Sequence, residues 1–172
     1  MRKKGGQIWV ETVIYTLIAL VLIGLVLSFI TPKIQDIQDR LIIDQTVDLM
    51  SNIQGIIFSI GDVPGNKRVI DIGIKKGNLI IDAQNNTITF ELESKYQYSE
   101  IGSVIDLGGI TAKTEKLGSA NKITLASNYE GYNLTYDGTE GEKTISQSAT
   151  PYKLSIENKG TAGNKVIDLV IN

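Results

Sequence analysis

Two features near the N-terminus carry chemistry. The first is the pair Gly6-Gln7, which follows Arg2-Lys3-Lys4-Gly5; hydrolysis of the peptide bond between them would leave a new α-amino group on Gln7. The second is Glu11, four residues further on and the one acid in an otherwise uncharged apolar run that lasts to Ile30. A carboxylate in such a run is expensive to keep there and calls for a use. It could be an interfacial acid that snorkels to the boundary. It could also be a charge held for later pairing, in which the amine heading one helix meets the Glu11 carboxylate of a neighbour. Leaving a buried charge unpaired is costly, so such a pair would fix axial register.

The element that holds these groups is long. Residues 8–30 number about 23, which as an α-helix at ~1.5 Å per residue covers ~34 Å, enough to cross a hydrocarbon core of ~30 Å. Leu, Ile and Val dominate, and Thr12, Thr16 and Ser28 are small hydroxyls able to bond back to the helix. The basic cluster precedes the span, which places the N-terminus in the cytoplasm and residues 33–172 outside. No small-x-small site follows Ile30, so an ordinary cleaved secretory signal does not fit. The choices are an uncleaved signal anchor or a cut on the other side, before the span.

Basic leader, Gly-Gly, Gln7, Glu11 at the fifth position after the cut, then about 20 apolar residues: this pattern resembles the archaeal type IV pilins with a class III signal peptide. The resemblance covers about the first 35 residues. The family motif reads Gln-x-Ser-x-Glu-x-x-x-Leu, and here Trp9 stands for the Ser and Tyr15 for the Leu. It implies that a prepilin peptidase cuts between Gly6 and Gln7, that Gln7 and Glu11 set register between subunits, and that an assembly ATPase and a membrane platform are partners. The function implied is a structural subunit of a surface filament, polymerised through its N-terminal helix. The same residues allow a minor pilin or pseudopilin. A reading from another class is a monomeric surface binding protein or adhesin on an uncleaved anchor.

Composition narrows the chemistry. The chain has 172 residues, a net charge of −2, no cysteine and no histidine. There is no basic footprint for nucleic acid, no disulfide framework or thiolate, and neither the commonest general base nor the commonest transition-metal ligand. Ser and Lys are plentiful, but nothing fixes a nucleophile beside a base. Gly108-Gly109 lacks the strand–loop–helix setting of a phosphate site. The chain is read as non-enzymatic, with no catalytic, cofactor or metal site.

Beyond Pro32, where a bend is expected, residues 33–60 keep a helical period, with Ile34, Ile37, Leu41, Ile43, Val47, Met50, Ile53, Ile57 and Ile60 as one stripe. Lys33, Asp36, Asp39, Arg40, Asp44, Asp48 and Asn52 form the solvated face, with Asp36 and Arg40 paired at i, i+4. These acids lack the alternating ligand spacing of a cation loop. Residues 61–66 break the helix. The period then becomes two, with strands expected at 68–74, 78–82, 87–92, 104–107, 110–116, 122–127, 132–136, 152–157 and 165–171. Residues 75–78 read as a hairpin turn, Asp137-Gly138 and 158–160 as turns, and 138–150 as a long exposed loop.

The expected fold is α+β, a long N-terminal helix packed on a C-terminal antiparallel β-sandwich-like domain. The division is leader 1–6, helix 7–60 (transmembrane 8–30, amphipathic 33–60) and extracellular domain 61–172. Two sequons, Asn85-Asn86-Thr87 and Asn133-Leu134-Thr135, are candidate N-glycosylation sites at Asn85 and Asn133. Two groups of tyrosines, Tyr129, Tyr132 and Tyr136, and Tyr96 and Tyr98, read as strand-face packing ahead of a sugar- or surface-binding cluster.

Overall fold

The structure, a computed structural model, describes residues 5–161 and 163–171, without the side chains of residues 5–8. The architecture is α+β. Among the described residues one helix, α1 (Gly5–Ile60), precedes ten strands. By packing, the chain divides into a unit that reaches to Gln38 and a second that begins at Asp39.

In the first unit the helix runs through Pro32 without interruption. The hydroxyls along it turn back onto the preceding turn: Thr16 Oγ1 donates to Thr12 O at 2.7 Å, Ser28 Oγ to Gly24 O at 2.8 Å and Thr31 Oγ1 to Leu27 O at 2.8 Å. These bonds keep polar atoms satisfied in an apolar stem, as the small hydroxyls suggested.

The second unit contains the rest of α1 and two sheets. The strands are β1 (Lys67–Ile72), β2 (Asn78–Asp82), β3 (Thr87–Ser94), β4 (Val104–Asp106), β5 (Ile110–Leu117), β6 (Ala120–Asn128), β7 (Asn133–Tyr136), β8 (Glu142–Ser146), β9 (Tyr152–Asn158) and β10 (Val166–Ile171). A four-stranded sheet has the order β1-β9-β10-β7 and a six-stranded sheet the order β4-β5-β6-β3-β2-β8. Alternation of buried residues with half-buried or exposed ones along β3 and β6 marks sheet strands with one face inward. Ile43, Met50, Ile53, Ile57 and Ile60 of the helix share one hydrophobic core with Leu79, Ile81, Ile88, Phe90, Ile123 and Leu125 of the larger sheet and with Leu154, Ile156, Ile167 and Leu169 of the smaller.

Several expectations change. All pairings between the named strands are antiparallel except β7 with β10, which is parallel. Residues 75–78 do not join a hairpin: β1 pairs with β9 and β2 with β3 and β8, so this segment crosses from one sheet to the other. Gly77 takes φ +87°, and a Cβ there would lie 2.2 Å from Glu91 O, which reserves the crossing for glycine. The supposed loop 138–150 contains β8, an edge strand on β2. The single helical stripe is two. Leu41 is exposed while Ile43 is fully buried, and two residues on an α-helix stand about 200° apart. Ile34 and Ile37 are exposed with Leu41, at the three- and four-residue spacings of one face.

Asp39 also departs from the solvated row. Its side chain is buried, accepting from Lys76 Nζ at 2.6 Å and from Lys95 N at 2.6 Å. Arg40 pairs at 3.8 Å with Asp44, one turn after it, whereas the partner expected was Asp36, one turn before it.

Candidate functional site

The apolar stem is the first candidate site. From Trp9 to Ile30 every described side chain is exposed, the large apolar ones between 37% (Val13) and 77% (Phe29). This helix is the one candidate membrane-spanning element among the described residues, judged by length and composition. A soluble domain would bury such a surface, since contiguous exposed apolar patches mark contact with lipid or protein. Glu11 sits on this exposed helix two residues after Trp9. Gly6 and Gln7 have a helical backbone, but their side chains lie outside the description, and residues 1–4 of the leader lie outside it altogether.

The second candidate is the pair of sequons, which the fold brings together although 48 positions separate their first residues. Asn85 is exposed in the turn between β2 and β3. Its Nδ2 donates to Asp82 Oδ2 at 2.6 Å and its N to Asp82 Oδ1 at 3.0 Å. These two bonds outweigh the burial that would raise it and hold the Asp82 carboxyl below the usual carboxylate range. Asn86 takes φ +52°, accepts from Leu134 N through Oδ1 at 2.7 Å and from Tyr129 N through its carbonyl at 2.9 Å. The middle residue of one sequon is thereby bonded to the middle residue of the other. Asn133 opens β7; its Nδ2 donates to Asn164 Oδ1 at 3.0 Å and its N to Lys165 O at 2.8 Å. Thr135 Oγ1 donates to Asp168 Oδ1 at 2.7 Å.

Asp168 is a polar centre that sequence reasoning missed. It lies on β10 with a side chain only 1% exposed. Thr135 Oγ1, Gly138 N at 2.7 Å and Lys159 Nζ at 2.5 Å all donate to it. Burial pushes its carboxyl up, but these three donors outweigh burial and hold it below the usual range. Asn158, read only as a turn residue, is buried and finishes the helix: its Nδ2 donates to Ile60 O at 2.8 Å and Gly61 O at 3.0 Å. These are carbonyls the helix end leaves without intrahelical partners. The sequence signal available for both was a polar residue within an otherwise apolar strand face or end.

The tyrosines pack, as expected. Tyr129 is 1% exposed, and burial pushes its phenol up to about 12. Phe58 meets it edge-on at 6.2 Å and lies tilted against Tyr132 at 6.0 Å. Tyr96, Tyr98, Tyr132 and Tyr136 border the core. No group of three or more acidic, His or Cys side chains able to hold a metal occurs among the described residues. No protein-family model, no curated protein and no solved structure matches the chain.

Proposed function

We propose that the chain is a structural subunit of a type IV pilus-like surface filament. The observation that carries this reading is the stem, a helix whose apolar side chains from Trp9 to Ile30 are all exposed on the single chain, with one acid, Glu11, near its start. The resemblance of residues 2–30 to the archaeal pilins supports it.

In this reading the chain first sits in the membrane with its N-terminus in the cytoplasm and its β domain outside. A prepilin peptidase then removes residues 1–6. The stem leaves lipid and packs against the stems of other copies. The exchange is close to neutral in hydrophobic terms, because neighbouring side chains are as apolar as acyl chains; packing and polar pairing must supply direction. The new Gln7 amine paired with a neighbour's Glu11 carboxylate supplies register. Head-to-tail contacts that do not close generate an open helical polymer. An assembly ATPase and a membrane platform would drive it.

The test is processing. Gly6→Phe should abolish the shift to a shorter species on electrophoresis in cells with an active peptidase, while the wild-type chain is shortened. A variant processed as well as the wild type contradicts the reading. If neither chain is processed, the chain is an anchored surface protein of the binding or adhesin class.

A further inference from the structure

The two sequons carry the same acceptor chemistry but sit in different surroundings. We propose that folding separates them: Asn85 stays open to N-linked glycosylation in the folded domain, and Asn133 is closed by it. The step itself is the same at either residue. The carboxamide nitrogen bonds to the anomeric carbon of a polyprenyl-phosphate-linked saccharide, the anomeric C–O bond to phosphate breaks, the phosphate leaves with the electron pair, and the amide gives up one proton. It requires that the amide nitrogen be withdrawn from other bonds, and that the Thr hydroxyl two residues on be available to the transferase.

At Asn133 all three sequon residues are engaged. Nδ2 is held by Asn164, Leu134 N by Asn86 Oδ1, and the Thr135 hydroxyl by the buried Asp168 carboxylate. The Leu134 side chain is buried. The backbone from Asn133 to Tyr136 is paired in parallel with β10 from Val166 to Leu169. Drawing this segment into an enzyme cleft means peeling β7 from β10, which uncovers Leu134 and strips Asp168 of a donor. Unpairing a buried acceptor and a core leucine together makes such an opening rare.

The Asn133 side chain is itself exposed, and the Asn85 sequon shares the Asn86–Leu134 bond and has Thr87 paired with Asp82 and Asn128 in β3, but Asn85 itself lies in the turn, outside any strand pairing. Its side chain is exposed in a turn, and its Nδ2 is held only by Asp82, a neighbour three residues back. The Thr87 hydroxyl takes part in no hydrogen bond among the described residues. The anchored member of this sequon is Asn86, whose bonds to Leu134 and Tyr129 hold the turn in place and leave Asn85 outside it. The inference needs only the folded β domain, not polymerisation, so it stands or falls separately from the filament.

The test uses the full chain, purified unmodified in detergent, with a single-subunit oligosaccharyltransferase and a lipid-linked oligosaccharide. Peptides covering residues 80–92 and 128–140 serve as unfolded references, and glycopeptide mass spectrometry reads each site. Both peptides should be modified. In the folded chain Asn85 should react within about tenfold of its peptide, and Asn133 about a hundredfold or more slower than its own. Modification of Asn133 in the folded chain at the rate of its peptide overturns the proposal. So does an Asn85 that reacts only as a peptide. Refusal of either peptide also overturns it, since sequence and not folding would then decide.

Discussion

Asp168 shows how one buried residue can organise a surface. The position faces the polar side of β10, paired across to Thr135 and Glu157, yet its side chain is sealed by Lys159, Thr135 and the Gly138 amide. Its carboxyl sits below its ordinary value, and the sign of the pH effect follows. Stability from this group is fully present above the unfolded carboxyl value of ~3.9 and is lost as pH falls through the lower folded value. Asp168→Asn should therefore destabilise the folded chain by about 1–3 kcal/mol at neutral pH, through lost charge-assisted hydrogen bonds. The variant should also show a shallower fall in stability between about pH 5 and pH 2 than the wild type, read from urea unfolding at a series of pH values. Equal slopes would mean that Asp168 is not held ionised by its donors. Lys159 is the foremost of the three donors lowering the carboxyl, but its side chain is 44% exposed, so solvent screening limits its share of the stability. None of this could be read from residues 158–168 alone, because the ring is closed by Thr135 and Gly138, some 30 positions earlier.

At the scale of elements, the helix and most strands were legible because their periods are strong. Ile88, Phe90 and Leu92 alternate on β3 and are all buried. Nine strands fall where the alternation places them. The tenth, β8, was hidden by its position: an edge strand needs only one inward apolar residue, here Ile145, and its outward residues Glu142, Lys143 and Thr144 read as loop. Partner choice was hidden for a different reason. The sequence specifies that residues 67–72 and 78–82 are strands, but not that β1 pairs with β9, about 85 positions away, while β2 pairs with its neighbour β3. A short Gly-containing link between two strands fits a hairpin and a crossing equally well. The helix stripe misled because apolar residues at spacings of three and four occur on two faces in succession, one covering the β domain and one turned outward. That division gives a paired prediction. Ile57→Ala, at a fully buried position, should cost about 2–5 kcal/mol of stability. Leu41→Ser, at a side chain 53% exposed, should change stability by no more than about 0.5 kcal/mol, and should weaken filament assembly if the outward stripe meets another copy. Chemical denaturation of the two variants checks the first half, and filament yield the second. A Leu41→Ser chain as unstable as Ile57→Ala would place Leu41 in the core.

For the whole molecule, the chain joins two solutions to the burial of apolar surface. The unit from Asp39 onward covers its own core with a helix face and two sheets. In the stem the described apolar side chains from Trp9 to Ile37 are all exposed. The pattern on which the filament reading rests is local, in the leader, the Gly6-Gln7 bond and Glu11, and it stands as an expectation from the sequence. The meeting of the two sequons through Asn86 and Leu134 was not legible there, since it depends on long-range contact. The filament reading asks a bilayer to cover the stem first and other copies to cover it afterwards, and the cut before Gln7 is the event between the two. Surface filaments sheared from cells, purified and taken to N-terminal sequencing, test this most directly. The expected result is this chain as the principal component, beginning at Gln7. A chain recovered only from detergent-extracted membrane, as a monomer that still carries residues 1–6, would contradict it.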